Sequence, residues 1–469
     1  MNNKVPTKRL AITTCTGLIL SGIVAFAAVI EMISSEIMAN TKLSGGPATV
    51  TTMPYNTGRG KIDPNPIVPT TQPDVVAEWN AEAVRLTLLG SSNQAPVQQT
   101  RTMAVVHVSV HDAVNGITGQ YKTYLPPAPA PANASPEAAA IAAAHHSLRN
   151  LFPAPTHVAT LDAMFLASLA ARGLSVDSPG VAYGQSAAAA ILAARASDGS
   201  AAAQFPYTAP GSGLPGVWVR LTALDALLPG WGDVVPWSLR SGSQFRPEPP
   251  PALDSAEYAK DYNEIKEIGS LTSTIRTAEQ TQIATFWLAS PTAIWNQPLR
   301  ALVAASGFDL STRARTYALM YLSSADSSIA CWEAKYEYNF WRPQPAIRRG
   351  DEDGNDATIA DPTWTPLFTT PRHPEYPSGH TDNSTAMATI LALIFGDDPG
   401  IPITSTIGTI TREWDTFDEG LDEVIDGRVY SGIHFRTADV AGSRQGRQVA
   451  HFVWTHELRR CTKGKGFCP

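Results

Sequence analysis

Two cations and a proline stand at a spacing that predicts one wall of an anion site. Lys335 and Arg342 are seven residues apart, which on an α-helix is two turns, so both side chains would leave the same helix face. Pro343 follows directly and, because proline cannot continue a helix, it is expected to end that helix there. The two cations would therefore lie together near the end of one helix.

Two further stretches add a hydroxyl, a third cation and two histidines. Ser378, Gly379 and His380 lie directly before an apolar segment with helical periodicity, so a hydroxyl and free backbone N–H groups would face an anion at a helix N-terminus. Downstream, Arg428 is followed six residues later by His434 and then by a final helical run. Together the three stretches predict a site for a tetrahedral oxyanion.

Side-chain chemistry suggests how these groups would share the anion. Arginine offers a planar fork of donors and lysine a compact charge, while a hydroxyl and a glycine N–H each reach a single oxygen. The groups expected around the equatorial plane of a five-coordinate centre are Lys335, Arg342, Ser378, Gly379 and Arg428. His380 and His434 could stand at opposite poles, one bonding the central atom and the other moving protons on the apical oxygen.

The segments that must position these groups have mostly helical periodicity, with few and short strand patterns. They predict an all-α fold with long connecting loops, built as an N-terminal helical bundle (73–240) and a C-terminal helical bundle (241–469) that carries the oxyanion site. Residues 206–236 are rich in Gly, Pro and Trp and lack periodicity. They are expected to form a long connector that shapes the mouth of the site.

The N-terminus has the pattern of an export sequence. Residues 1–39 begin with basic residues and continue into an apolar run, which predicts a signal peptide or, if it stays uncleaved, an N-terminal membrane anchor. Residues 40–72 are rich in Thr, Gly, Pro and Asn and predict a flexible leader. The expected location is therefore secreted or periplasmic, with a membrane-anchored protein as the alternative.

The cysteines fit the same compartment. Cys461 and Cys468 lie close together in a tail rich in Gly and Lys and could form a small terminal disulfide. Cys331 lies in a helical pattern and is expected to be a buried free thiol.

Charge and the remaining histidines exclude other kinds of site. The chain has 35 basic and 42 acidic residues, a formal charge of −7, which argues against a nucleic-acid partner and makes any anion site local. His107 and His111 have a spacing that could suit a metal, but no Glu lies between them and no cysteine is near. They are expected to be structural, and nothing in the pattern decides whether the protein is a homo-oligomer.

The three stretches, taken together, resemble the signature of a known family. Lys-x6-Arg-Pro, Pro-Ser-Gly-His and Arg-x5-His are similar to the motifs of vanadium-dependent haloperoxidases, which type 2 phosphatidic acid phosphatases and bacterial acid phosphatases share. The flanking sequences ADSSIACWEAKY and RVYSGIHFRTAD, the FW…WNQ stretch, and the early EWNAEAV and AVVHVSVHDAVN stretches resemble the soluble haloperoxidase branch, so the likeness covers roughly residues 74–457. It implies a mainly helical fold with two four-helix bundles and vanadate in the C-terminal half.

The resemblance also implies roles for individual residues. His434 would ligate vanadium, and His380 would be the acid/base that helps hydrogen peroxide replace the apical oxygen. Lys335 would hold the oxyanion with the other cations and also polarise the peroxide. Halide would then attack one peroxide oxygen and leave as hypohalous acid, which reacts with a small organic acceptor. The metal would keep one oxidation state and act as a Lewis acid.

Two positions near the site look halide-facing in such proteins. Trp332 lies three residues before Lys335, and His373 lies five residues before Ser378. The resemblance associates Phe at the second position with chloride and His with bromide, and a histidine brings water into a pocket that chloride oxidation needs dry. Bromide and iodide are therefore the expected halides, although His373 could instead only cap the turn beside Pro374.

One feature departs from the pattern of the family. Relatives often carry an acidic residue shortly after Phe-Trp that pairs with a site arginine, whereas the residues between Trp287 and Trp295 include no acid. Support for Arg428 is therefore expected to be weaker.

Two other functions use the same residues. In a phosphohydrolase of the acid-phosphatase type, His434 would attack phosphorus and His380 would protonate the leaving group. A non-catalytic phosphate- or vanadate-binding protein is the third reading, but simple anion binding would need neither histidine.

Overall fold

The computed structural model describes residues 74–92 and 94–461, which lie in one compact unit of the chain, residues 65–469. Within the described ranges there are thirteen α-helices and one two-stranded antiparallel sheet, so the all-α prediction is confirmed. The first five helices are α1 (Val75–Leu88), α2 (Pro96–Thr118), α3 (Pro136–Leu151), α4 (Pro155–Ala170) and α5 (Pro179–Ala194). The others are α6 (Ala256–Ile268), α7 (Ala278–Phe286), α8 (Pro291–Ala305), α9 (Leu310–Tyr338), α10 (Pro343–Arg348), α11 (Gly379–Phe395), α12 (Phe417–Tyr430) and α13 (Arg436–His456). The strands β1 (Ile403–Ile407) and β2 (Ile410–Trp414) lie between α11 and α12.

Helix starts follow from capping residues in the sequence. Asp309 accepts a hydrogen bond from the Thr312 N–H at 2.8 Å at the start of α9, which satisfies one of the first-turn donors that a helix leaves free. Thr416 and Glu419 form a capping box at the start of α12, the helix that carries Arg428. These starts set where along the chain the cations of the site occur.

The end of α9 corrects one sequence prediction. The helix ends at Tyr338, where Asn339 takes a left-handed conformation with φ 48°, so Pro343 is not what stops it. Asparagine tolerates this conformation, and its side chain donates to the Tyr336 carbonyl at 2.5 Å. Lys335 therefore lies on α9 while Arg342 lies beyond it, at the N-cap of α10, and the prediction that both leave one helix face was wrong.

Two glycines of α13 bring that helix close to the start of α11. A Cβ atom on Gly446 would lie 2.0 Å from the Asp382 carbonyl oxygen, and one on Gly442 would lie 2.4 Å from the Ser378 carbonyl oxygen. Only glycine permits this backbone approach. The close packing fixes the first turn of α11 against the helix that follows His434.

The hydrophobic core draws on both halves of the chain. Its largest cluster includes Trp79 and Ile141 from the first half and Trp295, Leu391 and Val453 from the second. Helix α9 lies at its centre, packing against both α2 and α11. The predicted boundary between two bundles near residue 240 stays a prediction.

The connector at 206–236 meets the site region through backbone hydrogen bonds. The Leu227 carbonyl accepts hydrogen bonds from Trp332 Nε1 at 3.2 Å and from the Tyr336 hydroxyl at 2.8 Å, both on α9. The Leu227 N–H donates to the Arg372 carbonyl at 2.7 Å. The connector therefore contacts the loop that carries His373.

Several predictions about the ends of the chain lie outside the described residues. They concern the signal peptide or anchor (1–39), the leader (40–72) and Cys468. Cys461 is disulfide-bonded, and Cys331 is free among the described cysteines and buried, as predicted. None of the helices in the described part of the chain is long and apolar enough to cross a membrane.

Candidate oxyanion site

The N-terminus of α11 presents polar groups that the protein does not use. Ser378 occupies the N-cap, yet its side chain makes no capping hydrogen bond, and its buried Oγ has no partner among the described residues. A serine at this position ordinarily accepts from a first-turn N–H. Here both the hydroxyl and the first-turn N–H groups are available to an oxyanion.

Gly379 begins α11 where there is little room for a side chain. A Cβ atom there would lie 3.1 Å from Trp332 Cζ3 and 3.7 Å from both Cys331 Sγ and Lys335 Cε. A larger residue would press on the aromatic ring and the lysine. Gly379 therefore allows the start of α11 to lie directly against α9.

Arg342 joins the loop at His373 to the Ile433–His434 segment with its guanidinium group. Nε donates to the His373 carbonyl at 2.9 Å, Nη1 donates to the Ile433 carbonyl at 2.8 Å and lies 3.1 Å from His434 Nε2. Nη2 lies 2.9 Å from His373 Nδ1. The residue is fully buried, and burial lowers the pKa of Arg342 to about 10, so it stays charged at neutral pH.

Lys335 is fully buried and holds the loop that precedes α11. Its ammonium group donates to the backbone carbonyls of Pro374 at 3.1 Å, Glu375 at 2.9 Å and Pro377. An ammonium has three donors, so all of them are used by the loop. Burial lowers the pKa of Lys335 to about 8, and its role as a direct anion ligand stays a prediction.

Arg428 is supported by groups that the sequence did not reveal. Nη1 donates to the Trp287 carbonyl at 2.7 Å, so the Phe-Trp segment supports it through the backbone and not through an acid. Buried Asp439 on α13 lies close enough to raise the pKa of Arg428 against the larger, opposite effect of burial. Burial raises the pKa of Asp439 well above its usual range. The expected weakness at Arg428 is therefore offset from a different helix.

The two predicted catalytic histidines differ in their surroundings. The Nε2 atom of His380 is buried and makes no hydrogen bond within the described ranges. His434 lies between Arg342 and Glu375, with its Nδ1 2.9 Å from Glu375 Oε1. The pKa values of both histidines lie well below the usual range, first because of burial and then because of nearby arginines. Both are therefore neutral rings in this arrangement.

Glu375 is a site residue that sequence reasoning missed. It is completely buried and lies in the loop between His373 and Ser378. Burial raises the pKa of Glu375 to about 8, although Arg342 and Lys335 oppose that shift. The only available signal was an acidic residue in an otherwise apolar, proline-flanked stretch.

The two predicted halide-pocket residues lie side by side. The ring centroids of Trp332 and His373 are 4.8 Å apart with an interplanar angle of 41°. Both are buried, and the His373 ring also contacts the guanidinium of Arg342. His373 Nδ1 lies 3.2 Å from the Pro374 carbonyl oxygen, and the turn-capping role stays a prediction.

His107 and His111 have separate structural partners elsewhere. His107 Nε2 lies 3.0 Å from Asn80 Nδ2, and its ring stacks on Tyr317 and Tyr321. His111 Nε2 lies 3.0 Å from the Lys122 carbonyl oxygen. In the part of the chain that the structure describes, no cluster of His, Cys, Asp and Glu has the composition of a metal site.

The donor set fits a compact oxyanion such as vanadate. Ser378 Oγ, His380 Nε2 and Arg428 Nε are buried polar atoms that lack a hydrogen-bond partner in residues 74–92 and 94–461. Buried polar atoms are rarely left unpaired without a function. Here they belong to the second and third motif segments, beside a helix N-terminus and buried cations, which is the chemistry that a tetrahedral anion requires.

Comparison with known proteins agrees with the helical fold. The family model "VCPO second helical-bundle domain" matches residues 315–463, which include every motif residue. The vanadium chloroperoxidase of Curvularia inaequalis is 26% identical over 185 residues, covering 32% of this chain and 30% of that protein. The chain therefore matches less than a third of the length of this curated relative.

Solved structures give a longer match. A bacterial vanadium-dependent iodoperoxidase aligns with a TM-score of 0.71 and 26% identity, covering 86% of this chain and all of that one. Bacterial vanadium-dependent chloroperoxidases in apo and holo forms align with TM-scores of 0.61 and 0.59 at 18% and 17% identity, covering 76% and 77% of this chain and 94% and 93% of theirs. Residues 315–463 therefore resemble the second helical bundle of vanadium-dependent haloperoxidases, and the described fold is similar to that of the bacterial iodoperoxidase.

Proposed function

We propose that the protein is a vanadate-dependent haloperoxidase that oxidises bromide or iodide with hydrogen peroxide to hypohalous acid. The observation that carries the proposal is a set of unpartnered buried atoms, Ser378 Oγ and His380 Nε2 at the start of α11 and Arg428 Nε on α12, whose charge acts on His380. The iodoperoxidase matches over its whole length, which supports the same class of reaction and vanadate as cofactor. The chloroperoxidase structures, at 17–18% identity, support the fold alone.

The vanadate oxygens and the metal would be bound by different side chains of the site. Ser378, the Gly379 N–H and the guanidinium groups of Arg342 and Arg428 would hold the vanadate oxygens, and His434 would offer its Nε2 lone pair to the metal. Lys335 would keep the loop before α11 in place through its carbonyl contacts and add positive charge beside the anion.

Proton transfer would fall to His380. Its ring is neutral here because burial and Arg428 lower its pKa, so Nε2 can take a proton from peroxide and return it to the departing oxygen. Vanadate, when bound, supplies Lewis-acid activation of hydrogen peroxide without a change in oxidation state. The buried pocket would limit the access of water to the reacting oxygen.

The location of the enzyme forms part of the same proposal. The basic and then apolar pattern of residues 1–39 supports secretion or transfer to a periplasm, with a membrane anchor as the alternative. Hydrogen peroxide, a halide and a small organic acceptor would be its partners.

Phosphate is expected to compete with vanadate for this site. The proposed ligands recognise a tetrahedral oxyanion and not vanadium itself, so phosphate should raise the apparent dissociation constant of vanadate in proportion to its concentration. Bromide oxidation by metal-free protein should be measured across a vanadate titration at several phosphate concentrations. Insensitivity to phosphate would contradict a shared site.

The same preparation separates the haloperoxidase from a phosphohydrolase. Metal-free protein should be assayed for hydrolysis of a phosphate monoester, with and without vanadate. Peroxide-dependent bromination only with vanadate supports the proposal. Rapid ester hydrolysis that vanadate inhibits, with no bromination, would instead assign the phosphatase reaction to His434.

The His373→Phe variant is expected to shift halide use toward chloride. The imidazole lies 4.8 Å from the Trp332 ring and brings polarity to that pocket, and Phe would make the pocket drier. The ratio of chloride to bromide oxidation should be measured by halogenation of a cyclic diketone acceptor. His373→Asn, which keeps a polar group facing Arg342, serves as the control and should retain the preference for bromide. Strong chloride oxidation by the unmodified protein at neutral pH would refute the assignment.

A further inference from the structure

Glu375 contacts the back of the proposed vanadium ligand. Its Oε1 atom accepts hydrogen bonds from the Phe435 N–H at 3.0 Å and from His434 Nδ1 at 2.9 Å. Glu375 and His434 are both buried, with 0% and 1% of their surfaces exposed. The carboxylate therefore reaches the histidine ring and the backbone immediately after it.

The neighbours of His434 determine which ring nitrogen carries its proton. Arg342 Nη1 lies 3.1 Å from His434 Nε2, and a guanidinium group can only donate. The Nε2 atom must therefore be the acceptor, with a lone pair that faces Arg342 and no proton. The proton lies on Nδ1, where the oxygen of Glu375 accepts it.

The backbone of Glu375 is held at both of its polar groups. Its N–H donates to the Phe340 carbonyl at 2.9 Å, and its carbonyl accepts from Lys335 Nζ at 2.9 Å. The next residue, Tyr376, donates its hydroxyl to the Glu248 carbonyl at 2.7 Å. The carboxylate is therefore presented to His434 from a fixed loop.

We propose that Glu375 is a positioning residue that keeps His434 in the Nδ1-protonated tautomer, so that Nε2 carries the unprotonated lone pair that a ligand to vanadate needs. This inference rests on the proposed function of the site as a vanadate site. Partners behind a ligating histidine fix its ring orientation and raise its basicity, and their loss typically costs about 10- to 100-fold in metal affinity.

A purely electrostatic role is the competing explanation. Lys335, Arg342 and Arg428 lie in one buried region, and Glu375 could simply balance their charge. The two explanations differ above pH 8, where the Glu375 carboxyl is ionised, for Glu375→Gln, which loses the charge but keeps an oxygen that can accept from Nδ1 and from the Phe435 N–H. A charge role predicts that Gln is as harmful as Leu, whereas a positioning role predicts that Gln rescues the tautomer.

The surroundings of the Glu375 carboxylate have room for the amide of Glu375→Gln. A cavity of about 10 Å³ lies behind Glu375, lined also by Tyr258, Asp261 and Phe435. The second carboxylate oxygen, Oε2, makes no hydrogen bond to any described residue. An amide group at this position would therefore break no existing hydrogen bond of Oε2.

The test measures the tautomer of His434 and the affinity for vanadate separately. Protein with ¹⁵N-labelled histidine gives ring-nitrogen shifts that distinguish Nδ1–H from Nε2–H, and His434→Gln identifies the signal. Vanadate binding to metal-free protein is measured by calorimetry. The variants are Glu375→Gln, Glu375→Leu and Asp326→Asn, the last a buried carboxylate that accepts from three backbone N–H groups away from the site.

We expect Nδ1–H in the parent, in Glu375→Gln and in Asp326→Asn, with vanadate affinity within a few-fold of the parent. Glu375→Leu should lose the pure Nδ1–H signature and bind vanadate about 10- to 100-fold more weakly. An Nε2–H tautomer in the parent, or equal weakening by Gln and Leu, would overturn the inference, and the parent spectrum decides even if Glu375→Leu fails to fold. A parent that shows Nδ1–H but does not bind vanadate would instead contradict the proposed function.

Discussion

His434→Ala should abolish tight vanadate binding, whereas His380→Ala should keep much of the binding and lose oxidation. His434 supplies the proposed bond to the central atom. Its removal also takes away the ring that contacts both Arg342 Nη1 and Glu375 Oε1. His380 has an unpartnered Nε2 that would move protons, a contribution typically worth about 10²- to 10⁴-fold in rate. Calorimetry with vanadate and an assay of bromide oxidation measure the two effects independently.

The comparison of the two histidine variants is decisive because they differ in structural involvement. His434 contacts two buried charged residues, so the folding of its variant must be checked by thermal unfolding before binding is compared. Equal loss of binding in both variants would show that the division of roles is wrong. Retained bromide oxidation in His380→Ala would remove the proton-transfer role from that residue.

The sequence predicted the features of the site that are encoded locally. Helix α11 begins at Gly379, directly after Ser378, as predicted. A small polar residue followed by an apolar run with helical periodicity favours a helix start at that position. The helical class also follows from short-range periodicity, which the structure confirms across the described residues. The buried free thiol of Cys331 followed from its helical context in the same way.

The error at the end of α9 came from competition between two local signals. Pro343 is the stronger helix breaker, and it drew the predicted helix end toward Arg342. Asn339 ended the helix earlier, because it adopts a left-handed conformation and the chain then pairs with the connector, where the Trp218 N–H donates to the Asn339 carbonyl at 2.7 Å. This pairing joins residues far apart in sequence, so periodicity could not show it.

The supporting acids were missed for a related reason. Glu375 meets His434 across 59 residues of chain, and Arg428 meets the Trp287 carbonyl across 141 residues. Asp439 reaches the Arg428 region only because α13 packs closely on α11 through Gly442. Such contacts depend on how helices pack, which the spacing of residues along one helix does not determine.

Arg342→Ala should destabilise the protein and also abolish vanadate binding. The buried guanidinium donates to the carbonyls of His373 and Ile433 and contacts the rings of His373 and His434. Its removal leaves two buried carbonyls and two ring nitrogens without this donor, and each such loss costs about 1–3 kcal/mol. We therefore expect the free energy of unfolding, measured by urea denaturation, to fall by at least about 3 kcal/mol.

Two further variants separate the geometry of the guanidinium from its charge. Arg342→Lys keeps the charge, but a single ammonium cannot span acceptors that lie in the directions of three guanidinium nitrogens, so it should recover only part of the stability and little vanadate binding. Arg447→Ala removes an exposed arginine on α13 whose ion pair with Asp418, at 2.9 Å, should be worth less than about 1 kcal/mol. If Arg342→Ala were no less stable than Arg447→Ala, the contacts of Arg342 with the His373 loop and the Ile433–His434 segment would not stabilise the fold. Full recovery of vanadate binding by lysine would show that positive charge alone is what the oxyanion requires at this position.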